Sequence, residues 1–258
     1  MTVRQAAERF PFVTAAIIVT NFAVAFFVTG WVPTQESIDA VAFSSDRWTT
    51  QPETILFSIF AHGGILHLIM NSIALLSFGP FVERGVGPAK FIILYLFAGI
   101  LGNVAHATFQ PGELTVGASG AIFGLMGVVI VLAPTMTVLL LNLVPAPILL
   151  VGALYAVLVP YLTSFNDVVP IAHEAHIGGM VAGILFALYL NPRWALTVAP
   201  AAALVFLSLS FLVAELVRTD FDLARIPPYI ALALVIAGFV YLYKMEKKRG
   251  QRDAAVRV

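Results

Sequence analysis

Eight apolar stretches dominate this sequence: Phe12–Val32, Thr54–Val82, Phe91–Phe109, Val116–Ala133, Val138–Leu162, His173–Leu190, Ala195–Val217 and Tyr229–Tyr243. A helix needs about 20 such residues to cross a bilayer. Hydrocarbon offers no partner for backbone N–H and C=O groups, so stretches of this kind resolve as helices. Pro145 and Pro147 interrupt the fifth stretch. It reads either as an interrupted span or as a loop followed by a short helix from near Ala146.

Composition agrees. Of 258 residues, 60% are hydrophobic and 11% charged, against roughly 25% charged in an ordinary soluble domain. That leaves too little polar surface for a water-soluble globule. A cytosolic enzyme, a disordered protein and a nucleic-acid binder are excluded. A formal net charge of zero gives no long-range field. The absence of cysteine removes thiolate nucleophiles and Cys-based zinc sites. A signal peptide would have a shorter apolar core and a small-residue cleavage site, so the first stretch is read as a retained span.

Basic residues test the parse, because cytoplasmic loops collect them. With the N-terminus inside, 11 of the 14 Lys and Arg residues fall on the inner side, among them Arg84, Lys90, Arg193 and the run from Lys244 to Arg257. Only Arg47, Arg218 and Arg225 fall outside. The expectation is an even number of spans, both termini cytoplasmic, in an integral multi-pass protein of the plasma membrane. Six spans plus a misread pair satisfy the same parity.

Polar side chains in hydrocarbon are costly and mark function or the bundle interior. Here they cluster. The second stretch carries His62, His67 and Asn71, the fourth begins Gly117-Ala118-Ser119-Gly120, and the sixth begins His173-Glu174-Ala175-His176. In the topology above, all three enter from the outer face, so Ser119, His176, His67 and Asn71 fall at similar depths. Gly120, Gly124 and Gly127 form a small-residue stripe on the fourth helix, and Gly179 and Gly183 form one on the sixth. Such stripes let backbones approach closely. A serine needs a base to become a nucleophile, and histidine is the usual one. His67 and Asn71, four apart, share a helical face, where their N–H groups can stabilise an oxyanion. Taken singly, each feature also fits plain helix packing. A zinc site built from His62, His67, His173 and His176 is the weaker reading: His173 and His176 are one residue short of the His-Glu-x-x-His spacing, though i, i+3 is still geometrically possible, and no aspartate lies deep in a span. A transporter would place polar groups near the bilayer centre on broken helices.

These residues resemble the rhomboid intramembrane serine proteases. The likeness runs from about Phe57 to Leu190. It takes in His62, His67 to Asn71, Glu83 with Gly87 and Phe91, Gly117 to Gly124, and Ala175 to Gly179, in the family's order. The resemblance implies Ser119 as nucleophile, His176 as general base, and His67, Asn71 and the Ser119 backbone as the oxyanion site, with no cofactor and no metal. Two departures stand out. The order Arg47-Trp48 reverses the family's usual pair, and Phe123 stands where some members stack a tyrosine on the catalytic histidine.

The expectation is therefore an all-α polytopic transmembrane helix bundle. A cytoplasmic N-terminus covers 1–11 and a rhomboid-like six-span catalytic core 12–190. Two further spans lie within 191–243, and a basic tail covers 244–258. Its function would be to hydrolyse peptide bonds of transmembrane protein substrates near the outer face. Its partners would be those substrates and the lipid bilayer, with no nucleic acid. The alternative is a proteolytically silent rhomboid relative that binds membrane proteins. The fifth span and the loop Thr163–Pro170, with Phe165 as a plug, are expected to gate substrate entry beside the second span.

Overall fold

The computed structural model describes residues 10–140, 143–163, 172–217 and 228–255. Among these, five helices are long and apolar enough to cross a membrane: Phe12–Thr29, Ile65–Val86, Pro88–Phe109, His173–Leu190 and Pro192–Ala214. Ser119–Leu132 and Ile148–Leu158 are shorter apolar helices. The architecture is a polytopic helical membrane protein. Its contacts divide it into two compact units, Met1–Val128 with Pro160–Phe186, and Val129–Val159 with Ala187–Val258.

In the first unit, α1 (Phe12–Val24) runs on through a π turn, Ala25–Thr29. Its first turn has no cap of its own. The carboxylate of Glu83 supplies one from another helix. It accepts from the N–H of Val13 at 3.0 Å, the N–H of Thr14 at 2.8 Å and the Thr14 hydroxyl at 2.7 Å. A buried carboxylate is costly unless hydrogen-bonded, and a helix N-terminus offers both donors and a favourable dipole. The two problems solve each other. Thr14 fits because Gly79 has no side chain, since a β-carbon there would lie 2.7 Å from Thr14 Cγ2.

A loop follows, containing α2 (Gln35–Asp39) and a 3-10 turn, Ser45–Arg47. Ile38, Ala42, Ala61 and Val116 form its small core. Arg47 donates to the carbonyls of Asp39 and Ala42 and so ties the loop to itself. Trp48 packs edge-on to Phe43. The reversed Arg-Trp order thus keeps both side chains in use.

The second apolar stretch is not one helix. It contains α3 (Thr54–Phe57), a bend through Gly63 and Gly64, and α4 (Ile65–Val86). The Asn103 amide holds α3 before the bend, donating to the Ile55 carbonyl and the Ser58 hydroxyl, both at 2.8 Å. Gly87, at φ +86°, ends α4 in a left-handed conformation that suits glycine. Pro88 then opens α5 (Pro88–Phe109) at the position where its missing N–H costs nothing. Two further helices that begin in this unit, α6 (Ser119–Leu132) and α8 (His173–Leu190), carry the remaining polar cluster.

The fifth apolar stretch also departs from a simple span. Its first part is an antiparallel hairpin, β1 (Thr137–Leu140) with β2 (Val144–Pro147), pairing Thr137 with Pro147 and Leu139 with Pro145. Neither proline can donate a helical hydrogen bond, so the helix α7 (Ile148–Thr163) begins only after them. In the second unit, α9 (Pro192–Val217) packs against α10 (Pro228–Ala255). Asn191 caps α9 by accepting from the Trp194 N–H at 3.3 Å. The Trp194 indole N–H donates to the Val131 carbonyl, and the Arg249 guanidinium lies 4.7 Å over its ring. Residues 164–170 of the loop expected to act as a gate, including Phe165, lie outside the described residues.

Candidate active site

Ser119 is the first residue of α6 and His176 the fourth of α8. What joins them is the absence of side chains. A β-carbon on Gly102 of α5 would lie 2.7 Å from the Ala175 carbonyl oxygen, and one on Gly120 of α6 would lie 3.3 Å from the same atom. One turn further, a β-carbon on Gly179 would collide with the Gly120 carbonyl, and one on Gly183 with that of Gly124. Three helices therefore meet at backbone distance, immediately beside His176.

The Ser119 hydroxyl and His176 Nε2 lie 2.9 Å apart, within hydrogen-bond reach. Ser119 remains partly accessible, whereas His176 is 9% exposed. Phe123, one helical turn after Ser119, stacks flat on the His176 ring, with centroids 4.3 Å apart and planes inclined by 4°. The imidazole is thus held by a ring on one face and a hydroxyl at one edge, both presented by α6. Such a pair can transfer a proton from serine to histidine as the serine oxygen attacks.

Glu174, the acid nearest His176 in sequence, turns elsewhere. Its carboxylate takes the His106 ring of α5 at 3.4 Å and the amide of Gln110, just past the end of α5, at 3.1 Å. His106 had no assigned part in the sequence reading. The structure gives it this one, at the end of α5. His173 is exposed, with its ring 6.1 Å from that of His176.

His67 and Asn71 lie on α4, one turn apart. The Asn71 amide donates to the His67 carbonyl at 3.1 Å, and its second hydrogen is not used by that bond. The link from α4 to Ser119 runs through Gly117. A β-carbon at Gly117 would lie 2.9 Å from His67 Nε2 and 3.7 Å from Ser119 Oγ. The His67 ring and the serine hydroxyl therefore flank one small space that a side chain would fill. Gly117 sits at φ +127°, a backbone state that L-residues rarely adopt. Its N–H is anchored on the Ser58 carbonyl at 2.8 Å. Sequence reasoning quoted Gly117 within the motif around Ser119 but gave it no role of its own. The Gly-x-Ser-Gly pattern was the available signal. His62, buried, sets its ring edge-on to His67 at 5.1 Å and backs that side chain. All four expected site residues thus lie in the first unit. Ser119 and His176 touch, His67 adjoins them across Gly117, and Asn71 is bonded one turn along from His67.

Residues 49–193 match the family model of the Rhomboid domain. The chain is 36% identical over 134 residues to Rhomboid protease GluP of Bacillus subtilis, covering 52% of this chain and 25% of that protein. It is 34% identical over 136 residues to RHOMBOID-like protein 4 of Arabidopsis thaliana, covering 52% and 33%. It is 30% identical over 146 residues to Rhomboid-like protease 3 of Toxoplasma gondii, covering 54% of each. The matches therefore span between a quarter and about half of these relatives' lengths.

Proposed function

The chain belongs to the rhomboid family, and from that premise we propose that it is an intramembrane serine endopeptidase acting on transmembrane protein substrates. Ser119 Oγ attacks the carbonyl carbon of the scissile peptide bond while His176 Nε2 takes its proton. The carbonyl oxygen becomes an oxyanion in the space beside Gly117. His67 Nε2–H, the remaining Asn71 amide hydrogen and the Ser119 backbone N–H are its donors. His176 then gives its proton to the departing amine, leaving an acyl group on Ser119. Water, deprotonated by the same imidazole, attacks that ester, and proton return to Ser119 releases the new carboxyl terminus.

The observation that carries this reading is the 2.9 Å approach of Ser119 to His176 on two helices locked by glycine. Phe123 supports it by holding the ring in plane. Ser119, His176 and His67 all lie within the first turn or so of their helices. That depth favours cleavage near one membrane face, which the charge pattern of the loops makes the outer one. In this reading both termini lie on the cytoplasmic side of the plasma membrane, and the same charge pattern supports their orientation.

Labelling of the purified full chain with a fluorophosphonate probe tests the nucleophile. Wild type is expected to label and Ser119→Ala to remain unlabelled. With a transmembrane substrate, Ser119→Ala and His176→Ala are each expected to lower turnover by about 10⁴-fold or more, and the double variant no further, because the pair acts as a unit. Asn71→Ala is expected to slow turnover by about 10²–10³-fold while probe access persists. Cleavage by Ser119→Ala at the wild-type rate would overturn the assignment. An unlabelled, inactive but folded wild type would identify a silent family member.

A further inference from the structure

The second unit holds a cavity that the proteolytic reading does not use. Its volume is about 300 Å³, and it is lined chiefly by Asn191, Arg193, Trp194 and Thr197 from the start of α9 and by Lys248 and Arg249 from α10. Three of these are cations, and no carboxylate lines the cavity. The nearest acid on α10, Glu246, accepts a hydrogen bond from the Thr135 hydroxyl, and its charge also acts on Arg249.

One cation is already oriented. Arg249 stacks over Trp194 at 4.7 Å and donates to the Leu132 carbonyl at 3.4 Å, so its guanidinium is not swept through solvent. Arg193 and Lys248 are exposed and flank it. The start of α9 adds the positive end of a helix dipole to the same side. The sum is a concave site for an anion.

Depth decides which anion. Pro228 to Tyr243 on α10 contains no charged residue, and then Lys244, Lys247, Lys248, Arg249 and Arg252 follow within two and a half turns. The cavity therefore opens where hydrocarbon gives way to water, the level of lipid phosphates. Tryptophan is enriched at that level. Leu196, beside the cavity on α9, is 69% exposed, and Tyr241 on α10 is 43% exposed. These are surfaces along which acyl chains can lie, which a free phosphate would not need. Basic pockets between membrane helices bind anionic headgroups by the same logic.

We propose that this cavity is a headgroup site for an anionic phospholipid, with Arg193, Lys248 and Arg249 around its phosphate. The proposal is independent of Ser119 chemistry. Native mass spectrometry of the detergent-solubilised full chain, titrated with phosphatidylglycerol and with phosphatidylcholine, tests it. Preferential retention of phosphatidylglycerol is expected. Arg193→Gln combined with Lys248→Gln should weaken that binding by roughly 10- to 30-fold. Lys244→Gln combined with Lys247→Gln removes the same amount of charge from α10 outside the cavity and should leave most of the affinity. Both positions of the first pair are exposed, and Arg193→Lys with Lys248→Arg should restore binding. Equal losses in the two glutamine pairs would show diffuse attraction and overturn the site. Displacement of the lipid by millimolar inorganic phosphate would assign the cavity to a soluble anion and overturn the lipid as its occupant.

Discussion

In the unit that carries Ser119, the helices around that serine meet backbone to backbone. In the unit that carries Trp194, they meet through side chains. Gly102, Gly120, Gly179 and Gly183 each have a neighbouring carbonyl where a β-carbon would sit or press. In the other unit, Gly238 admits the end of Val205, Gly152 faces the rim of the Phe206 ring, and Arg249 stacks on Trp194. A side chain can change rotamer to absorb an intrusion, but a helix backbone cannot without moving the helix. The first kind of joint fixes the distance between two helices to a fraction of an ångström, and a 2.9 Å hydrogen bond between them requires that. The second kind holds helices together while leaving their spacing adjustable.

The sharpest way to break this contrast is Gly179→Val. The new side chain meets the Gly120 carbonyl, which belongs to the turn that carries Ser119. Turnover is expected to fall by about 100-fold or more, with misplacement of roughly 1 Å the cause. Stability should drop by about 1–3 kcal/mol or more from overpacking. Cleavage assays and denaturant melts on the same sample would check both. Retained activity would mean that the helices are not held at that distance.

Much of this joint was legible in the sequence, because glycines at four-residue spacing on two helices are a local pattern. His173–Leu190 begins and ends where the apolar run does. Other features had no local signal. The split of Thr54–Val82 depends on Gly63 and Gly64 taking a bend, which their neighbours do not announce. The hairpin at Thr137–Pro147 was only half visible. Pro145 and Pro147 barred a helix, but the pairing partner lay in residues that read as apolar span. The Glu83 cap was invisible, since its donors lie 69 and 70 residues earlier. Glu83 entered the sequence reading only through family likeness.

A middle-sized effect is expected from Glu83→Gln. The amide keeps the shape but replaces a charged acceptor pair with one neutral acceptor and one donor facing N–H groups. Stability should fall by about 1–3 kcal/mol, read as a lower melting temperature. Turnover should stay within a few-fold of wild type at temperatures below the melt, because Glu83 lies at the opposite end of α4 from His67. A large loss of activity without a loss of stability would place Glu83 in the catalytic geometry and blur the distinction between fixing the site and holding the fold.

The smallest effect belongs to Gly152→Ala. The added methyl would meet the Phe206 ring edge at 3.3 Å, a contact that the ring relieves by a small shift. Alanine gains up to about 1 kcal/mol of helix propensity over glycine. The variant should be neutral to slightly more stable, with unchanged turnover. Destabilisation comparable to Gly179→Val would show that the second unit is as unyielding as the first.

The cap on α1 carries a consequence for the order of events at the ribosome. The N–H groups of Val13 and Thr14 are made before their acceptor, and Glu83 follows 69 residues after Thr14. At about 5–20 residues per second, that interval is roughly 3–14 s. Throughout it, water at the membrane edge must serve those amides. The first helix therefore enters the bilayer as a provisional element. Its seat becomes permanent only when α4 has emerged and brought the carboxylate beneath it. A truncated nascent chain ending before Glu83 should expose the start of α1 to protease and solvent exchange, and one long enough for all of α4 to have left the ribosome should protect it.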